Sequence, residues 1–283
     1  MRLLNGQPQD VISMADRAFQ FGDGVFRTLR CEGGQIEFWQ RHYARLQQDC
    51  AALGINCPAE AVLLEDLRII TPVDAAIKII ITRGETIRGY GTSDFLTPNR
   101  ITQCAALPNY PKDLHQQGAN VRVCSTKASW QPALAGVKHL NRLENVLARR
   151  EWQDPSIFEG LMLDRDGWVI EGVMSNVLVL CDTHLFTPKL DQSGVNGVMC
   201  EVAFDAALQH GFAVEKRALT LDDVKKADAV WLTNSLVGLL PVANVCERHF
   251  LPHPAQALLS KAVNHLRQLE KFVIVESPDM PKG

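Results

Sequence analysis

The chain has 283 residues, 46% hydrophobic and 22% charged, with a formal net charge of −3. That composition is ordinary for a globular protein, the charge offers no basic surface to nucleic acid, and no apolar run reaches the roughly 18 residues that a membrane span needs. The opening MRLLNGQPQD lacks the apolar core of a signal peptide, and the eight cysteines form no C-x-x-C pair and no zinc spacing with histidine, so reduced thiols, no metal and a cytoplasmic location are expected.

Residues 3–7, LLNGQ, read as a strand running into a turn at Asn5-Gly6. The stretch DRAFQFGDGVF (16–26) follows, its glycines suiting a bend where backbones or a ligand come close. Residues 25–31 and 35–38 predict a hairpin around Gly33-Gly34. Residues 40–53 carry Tyr43, Leu46, Cys50 and Leu53 on one face, with Gly54 just past the end, and predict a helix. Arg45 lies beside that stripe. It is either a solvated helix arginine or one that holds an anion, since its planar fork suits phosphate. Residues 75–83, AAIKIIITR, predict a β-branched strand. The loop Arg88-Gly89-Tyr90-Gly91 is either a plain turn or the lining of a carboxylate pocket. Residues 101–107 predict another strand, and the prolines and polar residues of 109–118 predict a linker between two domains.

The second block opens with a strand at 121–125. Small and apolar residues lead up to Lys138, and Leu140, Leu143, Val146 and Leu147 beyond it predict an amphipathic helix. Lys138 is then either a solvated lysine at a helix start or an amine in an apolar pocket. In such a pocket desolvation lowers the pKa and frees the amine to attack a carbonyl. Strands are predicted at 159–163 and 168–171 around the turn DRDG (164–167), and at 177–180 after Ser175-Asn176. Glu171 closes the second of these, as a rim carboxylate or as a functional one. Gly194-Val195-Asn196-Gly197 feeds a helix over 198–210, with Met199, Val202, Ala203 and Ala206 inward and Gly211 at its end. Outward N–H groups and the dipole make such a terminus an anion site, without the G-K-[ST] of a nucleotide loop. A strand at 212–216, a capping box at Thr220-Leu221-Asp222-Asp223 and a strand at 229–232 follow. The last of these runs into Thr233-Asn234-Ser235, a polar turn or a source of phosphate donors. An amphipathic helix at 255–269 comes last, and the residues after it read as frayed.

A lysine for an aldehyde, a carboxylate for a pyridine nitrogen, and an arginine with a glycine-led helix N-terminus for a phosphate are together what pyridoxal 5′-phosphate requires. The order of DRAFQFGDGVF (16–26), HYARL (42–46), KHLNRLENVLAR (138–149), EGVMSN (171–176), GVNGVM (194–199) and TNS (233–235) resembles the fold-type IV pyridoxal-phosphate enzymes. That group holds branched-chain and D-amino acid aminotransferases and 4-amino-4-deoxychorismate lyase. The likeness covers nearly the whole chain. LAGVKHLNRLENVLAR, the RGYG loop and LDQSGVNGVM are most similar to the lyase branch.

The resemblance implies a two-domain fold of mixed α+β and α/β character, like the D-amino acid aminotransferases. A small N-terminal α+β domain would cover 1–108, a linker 109–118, and a larger C-terminal pseudo-barrel with helices 119–283. It also implies a cofactor in the cleft between the domains, and a homodimer. Lys138 is implied as the Schiff-base lysine and acid/base, Glu171 as the partner of the pyridine nitrogen, and Arg45 as a phosphate ligand. Backbone N–H groups of Val198 and Met199, with Asn234 and Ser235, would join Arg45 on the phosphate, while Asn176 supports the signature around the carboxylate. Leu178 departs from the aromatic residue that many relatives carry there, which puts packing of the signature in question. Arg88, Tyr90 and Arg142 are the substrate-side candidates. The implied reaction cleaves 4-amino-4-deoxychorismate to 4-aminobenzoate and pyruvate, a step of folate synthesis. A D-amino acid or branched-chain aminotransferase on the same fold, and a non-catalytic cofactor- or anion-binding protein, are the alternatives.

Overall fold

The computed structural model describes residues 1–70, 73–86, 88–92 and 96–274; the end expected to fray, 275–283, lies outside them. The chain divides into two compact units. The first takes Met1–Pro108, Lys138–Asn141 and the stretch that begins at Arg267, and the second takes Asn109–Val137 and Arg142–Leu266. Residues 109–118 therefore belong to the second unit rather than standing between two, and Lys138 belongs to the first.

In the first unit β1 (Arg2–Leu4) and β2 (Gln7–Pro8) are joined at Asn5-Gly6. Both turn residues have positive φ, 52° and 83°, the primed turn that matches the twist of paired strands. Helix α1 (Arg17–Phe21) is capped by the Asp16 side chain and stopped by Gly22. Then come β3 (Gly24–Glu32), β4 (Gln35–Glu37), α2 (Trp39–Leu53), α3 (Glu60–Ile70), β5 (Ala75–Thr82) and β6 (Arg100–Ala105). β3 and β5 pair antiparallel from Gly24–Thr82 to Cys31–Ala75. Strand alternation sends Val25, Arg27, Leu29 and Cys31 to the buried side and leaves Phe26 and Thr28 half-buried on the other, with Lys78 likewise half-buried on β5. Helix α2 packs on β3.

The face that α2 buries corrects the expected stripe. Trp39, His42, Leu46, Asp49 and Cys50 are buried, whereas Tyr43 and Leu53 stand at the edge. The helical period holds, but two of its inward positions are polar.

The second unit begins with α4 (Leu114–Gln117), inside the segment expected to be a linker, and this short helix packs on a strand of its own unit. It continues with β7 (Ala119–Val123), α5 (Leu143–Arg149), β8 (Glu159–Leu163), β9 (Val169–Gly172), β10 (Asn176–Cys181), β11 (His184–Pro188), α6 (Val198–Gln209), β12 (Ala213–Arg217), α7 (Leu221–Lys226), β13 (Ala229–Asn234), β14 (Gly238–Val245) and β15 (Arg248–His249). The strands form one sheet in the order β12-β11-β10-β13-β14-β7-β8-β9, with β15 on β14. It curls so that β9 lies against β10 and β11. Val177, Val179, Val230, Leu232 and Leu240 fill its core. The predicted capping box at α7 is present in full, Thr220 and Asp223 bonding each other's backbone N–H. Helix α8 (Pro254–Leu269) leads into β16 (Lys271–Val273), which pairs with β4 and completes the first unit's sheet in the order β16-β4-β3-β5-β6-β1-β2. These match the small α+β unit and the larger sheet-rich unit that the resemblance implies.

The helix predicted right after Lys138 is the second correction. Lys138 to Leu140 is extended and joins β3: Phe26 N–H donates to the Lys138 carbonyl at 2.9 Å, and Leu140 N–H to the Gly24 carbonyl at 3.0 Å. Strand pairing takes the backbone groups that a first helical turn would need, so α5 starts only at Leu143. Its Leu143, Val146 and Leu147 are 75%, 54% and 51% exposed, and the residue it buries is Ala148.

Candidate active site

In the first unit the chemistry gathers where α2 faces β3. Lys138 is half-buried, and its Nζ stands 4.7 Å from the centre of the Phe26 ring. Lys78 Nζ meets the same ring at 4.6 Å, and burial holds its pKa below the usual lysine range. On α2, His42, Arg45 and Asp49 follow at helical spacing along one side. Arg45 is half-buried and donates to Gln48 Oε1 at 2.7 Å. Burial lowers its pKa, partly offset by the Asp49 carboxylate. His42 is buried with its Nδ1 unpartnered. Its pKa is pushed down to about 3, first by burial and then by the positive charges of Arg27 and Lys138, so it is neutral. Asp49 is ion-paired with Arg27, each 3% exposed. The sequence reading brought Lys138 and Arg45 to this place and missed His42, Asp49, Arg27 and Lys78. The available signal was an arginine at an inward strand position and an aspartate at an inward helix position.

The DRAFQFGDG motif of the same unit serves the RGYG loop. Asp16 caps α1 and accepts bonds from Thr82 Oγ1 and Asn99 Nδ2, both at 2.8 Å. Arg17, 4% exposed, donates to Asp23 at 2.8 Å and to the carbonyls of Gly89 and Tyr90 at 3.0 and 3.2 Å. Tyr90 leans on Phe21, ring centres 5.2 Å apart. Asp23 also binds Arg83 at 2.7 Å. Burial would raise its carboxyl, but the two guanidiniums outweigh that and hold it below the usual range. The loop backbone is thus fixed while Arg88 and Tyr90 point outward, Tyr90 being 83% exposed.

In the second unit the site is made of short side chains and backbone. Glu171 lies next to the end of β9, 6% exposed, and its Oε2 accepts the Val195 N–H at 2.8 Å. Asn176 opens β10 and donates to the Val195 carbonyl at 2.7 Å. A Cβ on Gly197 would stand 2.0 Å from Asn176 Oδ1, which is why glycine precedes α6. Gly197 gives no side-chain cap, so the Val198 and Met199 N–H groups keep the character of an open helix terminus. The Gly194 loop is zipped to Gly136: Gly136 N–H donates to the Gly194 carbonyl and Asn196 N–H to the Gly136 carbonyl, both at 2.9 Å. Two residues on from Gly136 the chain reaches Lys138.

Glu159, fully buried on β8, accepts the Met174 N–H at 3.0 Å and the Ser175 hydroxyl at 2.8 Å. It holds the EGVMSN turn from below, and burial pushes its carboxyl up. The sequence reading saw Glu159 only as a strand residue. Asn234 Oδ1 accepts the Leu236 and Val237 N–H groups, both at 2.9 Å, and its amide donates to the Met174 carbonyl at 3.3 Å. Asn234 and Ser235 therefore sit in a turn tied to EGVMSN. Arg142 is apart from this cluster, donating to the Val137 carbonyl at 2.8 Å and meeting Glu144 at 4.0 Å. Leu178, the departure from the family pattern, is fully buried opposite Trp231 of β13, so the ladder there is closed. A cavity of about 180 Å³ is bordered by Asn176, Val195 and Gly197 at the head of α6, and by Cys200, Phe204 and Lys216 further along. Among the described residues no group of His, Cys, Asp and Glu is arranged to hold a metal ion, and no helix is long and apolar enough to cross a membrane.

The chain is similar in sequence and in fold to known proteins. Aminodeoxychorismate lyase of Vibrio harveyi is 36% identical over 244 residues, 86% of this chain and 90% of that protein. D-alanine aminotransferase of Bacillus licheniformis is 28% identical over 252 residues, 86% of this chain and 87% of its own. The crystal structure of 4-amino-4-deoxychorismate lyase from Pseudomonas aeruginosa superposes with a TM-score of 0.90 at 37% identity, covering 94% of this chain and 98% of that one. The model of the family described as amino-transferase class IV matches residues 24–245. That match runs from the first residue of β3 to the last of β14, and the chain belongs to the class IV amino-transferase family.

Proposed function

We propose that the protein is a pyridoxal-phosphate-dependent lyase that cleaves 4-amino-4-deoxychorismate to 4-aminobenzoate and pyruvate, a step toward folate. The observation that carries the lyase over an aminotransferase is the stronger likeness, in sequence and in fold, to lyases of that name.

The residues fit the cofactor on their own chemistry. Glu171 is a buried carboxylate held in place by the Val195 N–H, so it suits a cationic ring nitrogen. The head of α6 lacks a side-chain cap because Cβ is excluded at Gly197, so it suits an anion, with Arg45, Asn234 and Ser235 as further ligands. Bound pyridoxal phosphate supplies a protonated ring that accepts an electron pair from the substrate carbon. Lys138 Nζ would hold the aldehyde, and its amine would take the proton from the substrate carbon bearing nitrogen and return one to the leaving methylene carbon. Glu171 would pair with the ring nitrogen and favour its protonated form. The substrate carries two carboxylates. Arg88, presented on the fixed RGYG loop, and Lys78 beside Phe26 are the cations we assign to them, with Tyr90 at the loop tip; Arg142, held by Val137 and Glu144, is the weaker candidate.

A homodimer belongs to the same reading. The apolar stripe that α5 exposes, Leu143, Val146 and Leu147, supports it, and light scattering would give twice the chain mass. A cytoplasmic location is supported by the eight cysteines all being free thiols.

The test is release of pyruvate and 4-aminobenzoate, in equal amounts, from aminodeoxychorismate by the cofactor-loaded protein. A yellow protein that forms neither, but converts its cofactor to the amine form with an amino acid, would make it an aminotransferase instead.

A further inference from the structure

We propose that the buried Arg27–Asp49 pair is the positioning device of Lys138, with the Asp49 carboxylate holding the lysine's backbone N–H. The inference rests on Lys138 being the reactive amine.

Asp49 lies on the inward face of α2 and Arg27 at an inward position of β3. Arg27 Nη2 donates to Asp49 Oδ2, and both side chains are 3% exposed. The Asp49 carboxylate also accepts the Lys138 N–H. On the other side of the same residue, the Lys138 carbonyl accepts the Phe26 N–H at 2.9 Å, and the neighbouring His139 bridges to Val25. Both backbone groups of Lys138 are therefore taken, one by α2 and one by β3. Its Cα–Cβ direction is fixed before its flexible stem begins, and Nζ is carried over the Phe26 ring.

A buried ion pair is weak evidence of stability, because desolvation offsets the attraction and an apolar pair of similar volume does as well. A polar pair is needed here for a different reason. The extended segment at Lys138 turns a buried N–H toward α2, and a buried N–H without an acceptor is strongly disfavoured. An aspartate provides the acceptor, and Arg27 fixes that aspartate in one orientation. Asp49 lies four residues beyond Arg45, so one helix sets both the lysine backbone and the phosphate arginine. Errors of about 1 Å in such a placement cost on the order of a hundredfold in rate.

The experiment compares D49N, D49A and the volume-matched double variant R27M/D49L with wild type. The first readout is exchange of the Lys138 backbone amide in apo protein, followed by NMR with lysine and leucine labelled at nitrogen. Exchange at Lys138 is expected to accelerate at least about tenfold in D49A and R27M/D49L, while Leu140, bonded to Gly24, is unchanged. D49N keeps an amide oxygen as acceptor and is expected to stay near wild type. The second readout is the pH titration of the bound cofactor's absorbance together with kinetics. The midpoint is expected to move in D49A and R27M/D49L, and kcat to fall roughly tenfold with KM within about twofold. D49N is expected to rescue most of both. The double variant retains packing without a lone buried charge, so it reports even where D49A unfolds. If Lys138 exchange and the titration midpoint stay at wild-type values in a folded double variant, the pair is only structural and the proposal is wrong. If borohydride fails to attach the cofactor to Lys138 in wild type, the functional reading falls, whatever the amide exchange shows.

Discussion

The two units present their candidate residues in different materials. The first uses long charged side chains, Lys138, Arg45, Arg27 and Asp49, buried or half-buried between a helix and a strand. The second uses backbone N–H groups, a short amide and a carboxylate, arranged around Gly136, Gly194 and Gly197. Charged side chains can move protons and form covalent bonds, but they need partners to stay buried. Backbone groups cannot change protonation, but they hold a fixed shape without side-chain entropy. On the proposed reading the first unit supplies the reactive amine and the second the carboxylate and the open helix terminus, and each role can be broken separately.

The largest effect is expected at Lys138. Lys138→Ala should abolish borohydride attachment of the cofactor and lower turnover by about a thousandfold or more, the scale of a lost nucleophile and acid/base. Mass spectrometry of the reduced, digested protein reads the first and steady-state kinetics the second. A Lys138→Ala enzyme within tenfold of wild type would remove reaction from the first unit altogether.

Glu171→Gln sharpens the other side. Glutamine still accepts the Val195 N–H, so the loop keeps its shape while the negative charge is lost. We expect kcat to fall about a hundredfold, the usual scale for a lost preorganised charge, with the melting temperature little changed. Glu171→Ala loses the tether as well and should lower the melting temperature too. Equal kinetics for Glu171→Gln and wild type would leave that carboxylate an anchor and nothing more.

Gly197→Ala tests anchoring itself. The backbone there has φ −83°, so alanine adds no backbone strain; its cost is the collision with Asn176 Oδ1. Overpacking of this kind costs about 1–3 kcal/mol, and cofactor affinity should fall with it. Adding Asn176→Ala removes the collision, so the double variant should recover part of the loss, the non-additivity of neighbours in contact. Strict additivity of the two losses would mean that Asn176 does not set the head of α6.

The same contrast explains what the sequence disclosed. GVNGVM and EGVMSN were legible because a fixed backbone shape demands glycine at set places, and the strands around them because β-branched residues alternate. Lys138 and Arg45 were legible only through the order of motifs along the chain. Asp49 and His42 were not, because a helix reading places polar residues on the solvent face, and Arg27 was not, because a strand pattern alone does not say that α2 covers its face. The helix expected at Lys138 failed for a related reason. Leu140, Leu143, Val146 and Leu147 have helical spacing, but β3 offers Lys138–Leu140 a strand partner, and no local pattern reports a partner more than a hundred residues away. The stripe on α5 was read as one face of an amphipathic helix, and within the chain that face is exposed.

His42 gives the smallest and most local test, through pH. It is neutral in the fold, with its pKa pushed down to about 3 by burial and by the Arg27 and Lys138 charges, whereas an unfolded histidine titrates near about 6.5. Between those values the unfolded chain binds the proton that the folded chain refuses, so the stability His42 allows is full above about 6.5 and declines as pH falls toward about 3. The slope from this one group is at most about 1.4 kcal/mol per pH unit. His42→Phe cannot take the proton in either state, so it should be less sensitive to acid. Urea unfolding of both proteins from pH 7 to 4 reads it: the wild-type-minus-variant stability should drop steadily below pH 6.5 and be flat above it. A difference that stays constant over that range would mean that His42 is protonated in the fold, and the charged side of α2 would then lie closer to solvent than its burial indicates.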